Sequence, residues 1–442
     1  MEGKKAVFKL LIKEFHESDF PEVLKRDLQL PAADAIPPRK VITITGPRRT
    51  GKTFLFYQII QGLEKTLGRQ RILLVNFEDD RITPLSLKDM DDLLEAYFEL
   101  YPGNKEHQIF LFFDEIQNVA GWETYVRRIL DKENVRIYIT GSSAKLLARE
   151  LSTAMRGRTI SYALHPLSFR EYLRFRGLEP ESDIEYAKER FLVKKLLMEY
   201  LVMGGFPEIA RAGENIREKI LQEYLDLLIY RDLVERFGIR NIAFLRMLMK
   251  YLITNVSNLF SVHNYYQTIR KETPISRDTL MEYVGHLEEI GLLSLLPVFS
   301  HSLKIQQVNP RKIQVMDNGL RNAVAFRFSP DEGRLAENLV FCDLQRDGAE
   351  CFYWKGKREV DFVVRRPKGV EGINVTFGEE ITKREKEALE EFKRTCGGRI
   401  SGLTIITKDI DKTESGIRFV PLWKWLLEKK DKPLSFNKLG AK

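Results

Sequence analysis

A short glycine-rich segment carries the clearest sign of chemistry in this sequence of 442 residues. Residues 46–53 read GPRRTGKT and fit the pattern G-x-x-x-x-G-K-[ST]. In such a loop, backbone N–H groups surround phosphate oxygens, the lysine reaches the β- and γ-phosphates, and the following hydroxyl ligates Mg²⁺. A strand-like run, VITIT, precedes the segment and helical spacing follows it, which is the context that this loop needs. The predicted nucleotide-binding residues are Gly46, Pro47, Arg48, Arg49, Thr50, Gly51, Lys52, Thr53 and Phe54.

Two acidic residues, Asp114 and Glu115, directly follow the apolar run IFLFF. Two acids after a strand usually only begin a helix, but a phosphate-binding loop upstream favours a catalytic function for them. Asp114 is expected to hold Mg²⁺ together with Thr53, and Glu115 to orient or deprotonate the attacking water. With Lys52, these acids form the predicted catalytic set for hydrolysis of ATP in the presence of Mg²⁺.

The next strand-like run, VRIYIT, is expected to end beside Asp114 in the sheet. A hydroxyl there, Ser142 or Thr140, has two interpretations: it senses the γ-phosphate, or it caps the helix that follows. Further on, Arg156 and Arg158 flank a glycine in AMRGR. An arginine in such a loop can stabilise transition-state charge, within the chain or from a neighbouring subunit, and the alternative is a surface turn.

The order of strand-like and helix-like runs predicts an α/β chain with several domains. From Val41 to about Leu164 strands and helices alternate, which indicates a parallel sheet covered by helices on both faces. An amphipathic helix is predicted at the N-terminus, before this sheet. The predicted domains are a P-loop core with an N-terminal strap (1–165), a helical lid (166–237), a winged helix (238–325) and a second α/β domain (326–442).

The composition limits the classes of protein to consider. A net charge of +8 and a pI near 9.1 permit nucleic-acid partners without requiring them. Three cysteines without a C-x-x-C pair argue against a disulfide framework or a zinc site, and they favour a reducing cytoplasm. No apolar run approaches the ~20 residues that span a bilayer, so no membrane partner is expected.

Several motifs, taken together and in this order, resemble a known family. They are GPRRTGKT, FLFFDEIQNVAGWETYVRR, ITGSSAKLL…STAMRGR, HPLSFREYL, GGFPE, YRDLVERF and LAENLV…YWKGKREVDFVV. They look like those of archaeal and bacterial P-loop ATPases of the AAA+/STAND type that carry a winged helix and a C-terminal restriction-endonuclease-like, or PD-(D/E)xK, domain. The resemblance implies an ASCE-type parallel sheet. It also implies that Pro207 in GGFPE touches the nucleotide base, for which a helix-breaking turn is the alternative.

The C-terminal region departs from the nuclease pattern of that family. Glu337, Glu359 and Asp361 match the first acidic positions, but Asn374 and Thr376 stand where relatives carry E-x-K. An amide and a hydroxyl supply neither the charge that holds Mg²⁺ nor the lysine that positions water. The sequence therefore predicts a degenerate nuclease fold, kept for binding or assembly, with those three acids as its vestigial site. Residues of the following segment that can replace the missing groups are Glu379, Glu380, Lys383 and Lys386.

The outer surface of the presumed recognition helix in the winged helix is net acidic, with Asp278, Glu282, Glu288 and Glu289 against Arg277. Phosphate contact requires Lys and Arg, so packing against the ATPase core is favoured for this helix, and the basic stretch 301–312 is a candidate wing. The predicted function is Mg²⁺-dependent ATP hydrolysis that drives a conformational or assembly change in a homo-oligomer, acting on duplex or branched DNA. The alternatives are a STAND-type protein-interaction switch and an ATP-regulated nuclease.

Overall fold

A computed structural model describes residues 3–32, 35–141, 157–179, 189–324, 331–378, 381–396 and 400–428. The chain forms two compact units, Met1–Leu164 and His165–Lys442. Ser142 and Arg156, two predicted site residues, lie outside the described residues, as do Glu379 and Glu380. None of the described helices is long and apolar enough to cross a membrane.

The first unit is built on a five-stranded parallel sheet. Its strands are β1 (Val41–Thr45), β2 (Ile72–Asn76), β3 (Ile109–Asp114), β4 (Val135–Gly141) and β5 (Thr159–Ala163). They lie in the order β2-β3-β4-β1-β5. All residues of β1, β3 and β4 are buried, as expected for a parallel sheet with both faces covered. The prediction of a parallel α/β sheet is confirmed.

Helices cover this sheet on two sides, and each side has its own apolar core. The helices are α1 (Lys4–Glu17), α2 (Lys52–Leu67), α3 (Leu87–Leu100) and α4 (Trp122–Lys132). The predicted N-terminal amphipathic helix forms as α1 and buries Phe8 and Ile12 in a core shared with α3 and α4. The second core lies under α2, where the rings of Phe56 and Phe112 meet edge to face at 5.0 Å.

The second unit begins with helices that share their cores with elements later in the chain. They are α5 (Phe169–Phe175), α6 (Arg190–Met203), α7 (Pro207–Arg211) and α8 (Glu214–Leu227), which continues as a π-helical segment over Leu228–Glu235. Phe169 and Tyr172 of α5 join a core with Leu339 and Trp423. Leu221 of α8 joins a different core.

The core that Leu221 joins lies mainly in a winged-helix arrangement. Its elements are α9 (Ile242–Thr254), β6 (Leu259–Phe260), α10 (Val262–Ile269), α11 (Arg277–Glu289), β7 (Leu293–Leu296), α12 (Leu303–Val308) and β8 (Arg311–Val315). The strands form an antiparallel sheet in the order β6-β8-β7. Leu280, Val284 and Leu287 of α11 are buried, as their helical spacing predicts. The candidate wing 301–312 contains the short helix α12.

The chain ends in a mixed sheet with a helix on each face. Its elements are α13 (Asn318–Val324), α14 (Glu332–Arg346), β9 (Cys351–Lys355), β10 (Glu359–Arg366), β11 (Gly369–Val375), α15 (Lys383–Cys396), β12 (Ile400–Thr407), β13 (Lys412–Glu414), β14 (Ile417–Pro421) and α16 (Leu422–Leu427). The strand order is β13-β14-β12-β11-β10-β9. Successive residues Phe362 and Val363 of β10 enter two different cores, one with α14 and one with α15.

Candidate nucleotide site

The loop between β1 and α2 adopts a backbone conformation suited to binding an anion. Arg49 and Gly51 are left-handed, with φ of 67° and 90°. At Gly46 a Cβ atom would lie 2.2 Å from the Leu164 carbonyl oxygen, so only glycine fits. No side chain of the described residues caps the amino end of α2. The first N–H groups of a helix have no partner within it, and left-handed turns beside them form anion-binding concavities.

The ammonium of Lys52 is buried at the centre of this loop. Its Nζ atom lies 3.2 Å from the carbonyl oxygen of Gly46 and 3.3 Å from that of Pro47. Its charged partner is Glu115, whose Oε1 atom is 3.2 Å away. The side chain of Lys52 is only 5% exposed. The loop therefore holds a cation inside itself, through its own carbonyl groups and one carboxylate.

Asp114 lies at the carboxyl end of β3 and joins three elements of the site. Thr53 Oγ1 donates a hydrogen bond of 2.6 Å to Asp114 Oδ2, and Thr140 on β4 donates to Asp114 Oδ1. The Thr140 hydroxyl in turn accepts a hydrogen bond of 2.9 Å from the backbone N–H of Glu115. Thr140, for which the sequence left a phosphate sensor and a helix cap as alternatives, is fully buried and holds the two acids through these hydrogen bonds.

The hydroxyl of Thr53 and the carboxylate of Asp114 fit a Mg²⁺ ion. Mg²⁺ takes oxygen ligands and is usually bound through one or two carboxylates together with substrate phosphates. These two oxygens are adjacent, and they lie directly beside the phosphate loop because Thr53 follows Lys52 in the first turn of α2. The two residues predicted as metal ligands are therefore brought together.

The pKa values of the two acids are shifted in opposite directions. Burial raises the pKa of Asp114, although hydrogen bonds from Thr140 and Thr53 oppose this. Burial also acts to raise the pKa of Glu115, but the Lys52 ammonium, with help from Gln117 and Arg48, lowers it below its ordinary value. Glu115 is consequently ionised at neutral pH, which is the state that a proton acceptor requires.

The backbone of Glu115 is held in an unusual conformation. Its φ is 51°, in the left-handed region that few non-glycine residues adopt. Gln117 Nε2 donates a hydrogen bond of 2.6 Å to Glu115 Oε2, whereas Lys52 pairs with Glu115 Oε1. Gln117 was not among the predicted site residues, because a glutamine two residues after an acid has no recognisable pattern.

Arg26, in the segment between α1 and β1, also supports the phosphate loop. Its guanidinium donates a hydrogen bond of 2.6 Å to the carbonyl oxygen of Thr50, and its side chain is buried. Gln58 on α2 brackets the Arg26 backbone, accepting from its N–H at 2.8 Å and donating to its carbonyl at 3.3 Å. The sequence offered no signal for this contact, since the residues involved are 24 positions apart.

The remaining loop residues have mixed surroundings. Thr50 donates to the Pro47 carbonyl at 2.8 Å, which closes the loop turn. Arg48 donates a hydrogen bond of 2.8 Å to Glu78, which follows β2. Phe54 is 47% exposed, with its ring edge-on to Tyr57. A contact of Phe54 with the nucleotide stays a prediction.

Arg158 does not lie near the phosphate loop of its own chain. Its carbonyl oxygen accepts a hydrogen bond from the N–H of Val41, at the amino end of β1, whereas the loop leaves the carboxyl end of that strand. Its guanidinium pairs with Asp131 at 2.7 Å, near the end of α4. A role for Arg158 within one chain is therefore wrong, and a role across a subunit boundary stays a prediction.

Pro207 lies in the second unit, where it begins α7. The preceding Gly205 donates its N–H to Asp317 Oδ2 at 2.7 Å, and a Cβ atom on Gly204 would lie 2.1 Å from Asp317 Oδ1. The glycines of the GGFPE motif therefore pack against the buried carboxylate of Asp317. Phe206 is buried in the same core as Leu221. Burial raises the pKa of Asp317 to about 6. The contact of Pro207 with a base stays a prediction.

The three acids of the expected vestigial site do come together, around a lysine that was not predicted there. Lys312 Nζ lies 2.7 Å from Glu337 Oε1, 2.9 Å from Glu359 Oε1 and 2.9 Å from Asp361 Oδ1. Burial raises the pKa of Glu337 to about 7, against the effect of the lysine. Lys386, which the sequence suggested as a replacement for the missing lysine, pairs with Glu414 instead.

Three family models cover most of the chain. Residues 38–173 match the model of an AAA domain, residues 194–331 that of a domain of unknown function called DUF8612, and residues 332–425 that of DUF4143. The chain is 35% identical to the uncharacterized protein MJ1544 of Methanocaldococcus jannaschii, over 97% of this chain and 96% of that protein. The chain belongs to the family of MJ1544. An uncharacterized protein of Haemophilus influenzae is 30% identical over 87% of this chain and 94% of its own length.

Two solved structures are more distant. The Walker-type ATPase Paby2304 of Pyrococcus abyssi is 12% identical, with a TM-score of 0.41 over 64% of this chain and 90% of that chain. The ORC1 protein of Aeropyrum pernix, solved in complex with DNA, is 14% identical, with a TM-score of 0.31 over 78% of this chain and 94% of that chain. The AAA-domain match confirms the prediction of an AAA-type P-loop domain. The nuclease-like identity of the C-terminal domain stays a prediction.

Proposed function

We propose that this chain binds ATP together with Mg²⁺ and hydrolyses it at the site between the phosphate loop and the carboxyl end of β3. The observation that carries the proposal is the arrangement of the buried residues Lys52, Asp114 and Glu115 with the half-buried Thr53, in which each residue is within hydrogen-bond or ion-pair distance of another. The AAA-domain match over residues 38–173 supports it.

Each residue of this arrangement has a defined task in the proposal. Lys52 and the N–H groups at the start of α2 hold the β- and γ-phosphates. Thr53 and Asp114 would hold Mg²⁺, which neutralises charge on the phosphates. A triphosphate that draws the Lys52 ammonium away leaves Glu115 without its ion-pair partner, so its carboxylate becomes free to accept a proton from water.

The nucleotide state is proposed to change the conformation or assembly of the chain. Hydrolysis assisted by an arginine from a neighbouring subunit would require a homo-oligomer. Turnover per chain should then rise with protein concentration in a steady-state assay of the full chain. Turnover that is independent of concentration, in a protein that sediments as a monomer, would exclude the arginine in trans.

The test of the proposed function is an ATPase assay on the purified full chain with Mg²⁺. Lys52→Ala should abolish turnover, whereas Lys65→Ala, an exposed lysine on the same helix, should not. Turnover in Lys52→Ala at the wild-type rate would refute the proposal. Adding duplex, branched or single-stranded DNA separates the two classes of partner: stimulation indicates work on DNA, and indifference indicates a protein switch.

A further inference from the structure

The side chain of Lys312 enters the acid cluster formed by Glu337, Glu359 and Asp361. Lys312 is on β8 of the winged-helix part, and its side chain is 1% exposed. The acids belong to the C-terminal part, with Glu337 on α14 and the other two on β10. Three carboxylate oxygens lie within 2.9 Å of one ammonium. The ammonium is therefore surrounded by acids from two different elements.

The local structure explains how these four side chains meet. Glu359 and Asp361 are two positions apart on a strand, so they share one face of the sheet. Lys312 and Gln314 on β8 are spaced in the same way, and Gln314 Nε2 donates to Glu337 Oε1 at 3.3 Å. Two side chains of β8 thus contact the same carboxylate and hold this strand against α14.

Three carboxylates this close need a cation. Like charges this close repel strongly, and a buried charge without a partner is strongly destabilising. In this structure the Lys312 ammonium supplies the positive charge from within the chain, with one acceptor for each of its three N–H groups. All three donors of the Lys312 ammonium therefore have a carboxylate acceptor within the cluster.

A divalent metal ion does not fit while Lys312 is in place. Mg²⁺ binds carboxylate oxygens at about 2.0–2.1 Å and keeps a strict octahedral shell, so it would have to take the space that the ammonium fills. Asn374, at the position of the missing acid, already uses both polar atoms of its side chain in hydrogen bonds within the chain. Its Oδ1 atom accepts from the N–H of Asp361 at 3.1 Å, and its Nδ2 atom donates to Glu385 at 2.7 Å.

We propose that Lys312 is the resident cation of this cluster: it replaces a divalent metal ion, keeps the C-terminal domain metal-free and fastens β8 to α14 and β10. The proposal is independent of the ATPase proposal, because no residue of the phosphate loop takes part. It also separates two causes for the predicted loss of nuclease chemistry. The replaced E-x-K residues remove the water-positioning lysine, whereas Lys312 removes the metal itself.

The test is a titration of the nucleotide-free full chain with Mn²⁺, followed by electron paramagnetic resonance of the free ion. Wild type should bind no Mn²⁺ at the cluster, so its isotherm should equal that of Asp361→Asn. Lys312→Ala should gain one site, and Lys312→Ala/Asp361→Asn should lose it. Lys312→Arg, which keeps the charge, should behave as wild type. Mn²⁺ binding by wild type that disappears in Asp361→Asn would overturn the proposal, and so would a folded Lys312→Ala without a new site.

A second arm covers the case in which Lys312→Ala does not fold. The variant Lys312→Ala/Glu337→Gln/Asp361→Asn removes the lysine together with two of the negative charges. Its recovery of a cooperative thermal transition shows that the fold requires the charge of the lysine, as proposed. If this triple variant also fails to fold, the lysine is needed for its shape and packing, and the resident-cation proposal is refuted.

Discussion

Lys52 and Glu115 form a buried ion pair of 3.2 Å between the phosphate loop and the turn that follows β3. The two side chains are 5% and 10% exposed, so neither charge is well solvated. The pair holds the lysine of the phosphate loop and the proposed proton acceptor beside each other in the nucleotide-free chain. The Lys52 ammonium also lowers the pKa of Glu115, so removal of Lys52 should raise the pKa of this acid.

Replacing Lys52 by methionine should weaken ATP binding by about ten- to a hundredfold, the equivalent of a lost charge-assisted hydrogen bond of about 1.5–3 kcal/mol. It should also lower the melting temperature, because Glu115 is left buried without its partner. Isothermal titration with ATP and thermal melting measure the two effects. In the double variant Lys52→Met/Glu115→Gln, stability should recover while affinity stays low. If both recover together, Lys52 does not contact phosphate.

Replacing Glu115 by glutamine should preserve ATP binding and reduce the hydrolysis rate by about 10²- to 10⁴-fold, the usual effect of losing a proton acceptor. The ion pair with Lys52 lowers the pKa of Glu115 in the nucleotide-free chain, so this acid should not cause an acid limb of kcat/KM, which reports the free chain, above its ordinary value of 4.5. Single-turnover hydrolysis across pH measures both. Glu106→Gln, at an exposed carboxylate, is the matched control. A wild-type rate in Glu115→Gln would remove its catalytic role.

Replacing Arg26 by methionine should reduce ATP affinity without any change to the residues predicted to touch phosphate. The guanidinium holds the Thr50 carbonyl at 2.6 Å, and loss of this charged hydrogen bond is worth about 1.5–3 kcal/mol, part of which will appear in nucleotide binding. ATP titration of the variant should show a weaker Kd, with Lys13→Met, an exposed lysine on α1, as control. Equal affinities for wild type and Arg26→Met would show that the loop keeps its conformation unaided.

The pH dependence of stability should carry a contribution from Asp317. Burial raises its pKa from 3.8 to about 6, so between these values the folded chain holds a proton that the unfolded chain has lost. Stability from this group is therefore present at low pH and falls as pH rises from about 4 to about 6, by roughly 3 kcal/mol at ~1.4 kcal/mol for each pKa unit. Denaturant unfolding of wild type and Asp317→Asn should diverge over this range. Parallel curves would show that Asp317 is ionised throughout.

The local patterns of the sequence predicted much of the fold and of the nucleotide site. GPRRTGKT, the acids after IFLFF and the alternation of strands and helices are short-range signals. They led to two features of the structure: position 46, where only glycine fits, and the contact between Thr53 and Asp114 at the edge of the sheet. The contact between Thr53 and Asp114 forms because parallel strands end at the same edge. The position of Arg158 was not predicted by these local signals. It lies at the amino end of β1 because β5, which follows it, pairs in parallel with β1.

The sequence by itself determined which groups form the candidate phosphate site, since residue type and spacing define that chemistry. Only the tertiary structure decided what supports or blocks each site. Arg26 reaches Thr50 from an irregular segment, and Lys312 reaches three acids from a strand of another subdomain. Such contacts join residues far apart in the chain, and a single charged side chain has no periodicity from which its partner can be predicted. Both contacts stabilise the fold, because a buried cation needs hydrogen-bond acceptors or opposite charges around it.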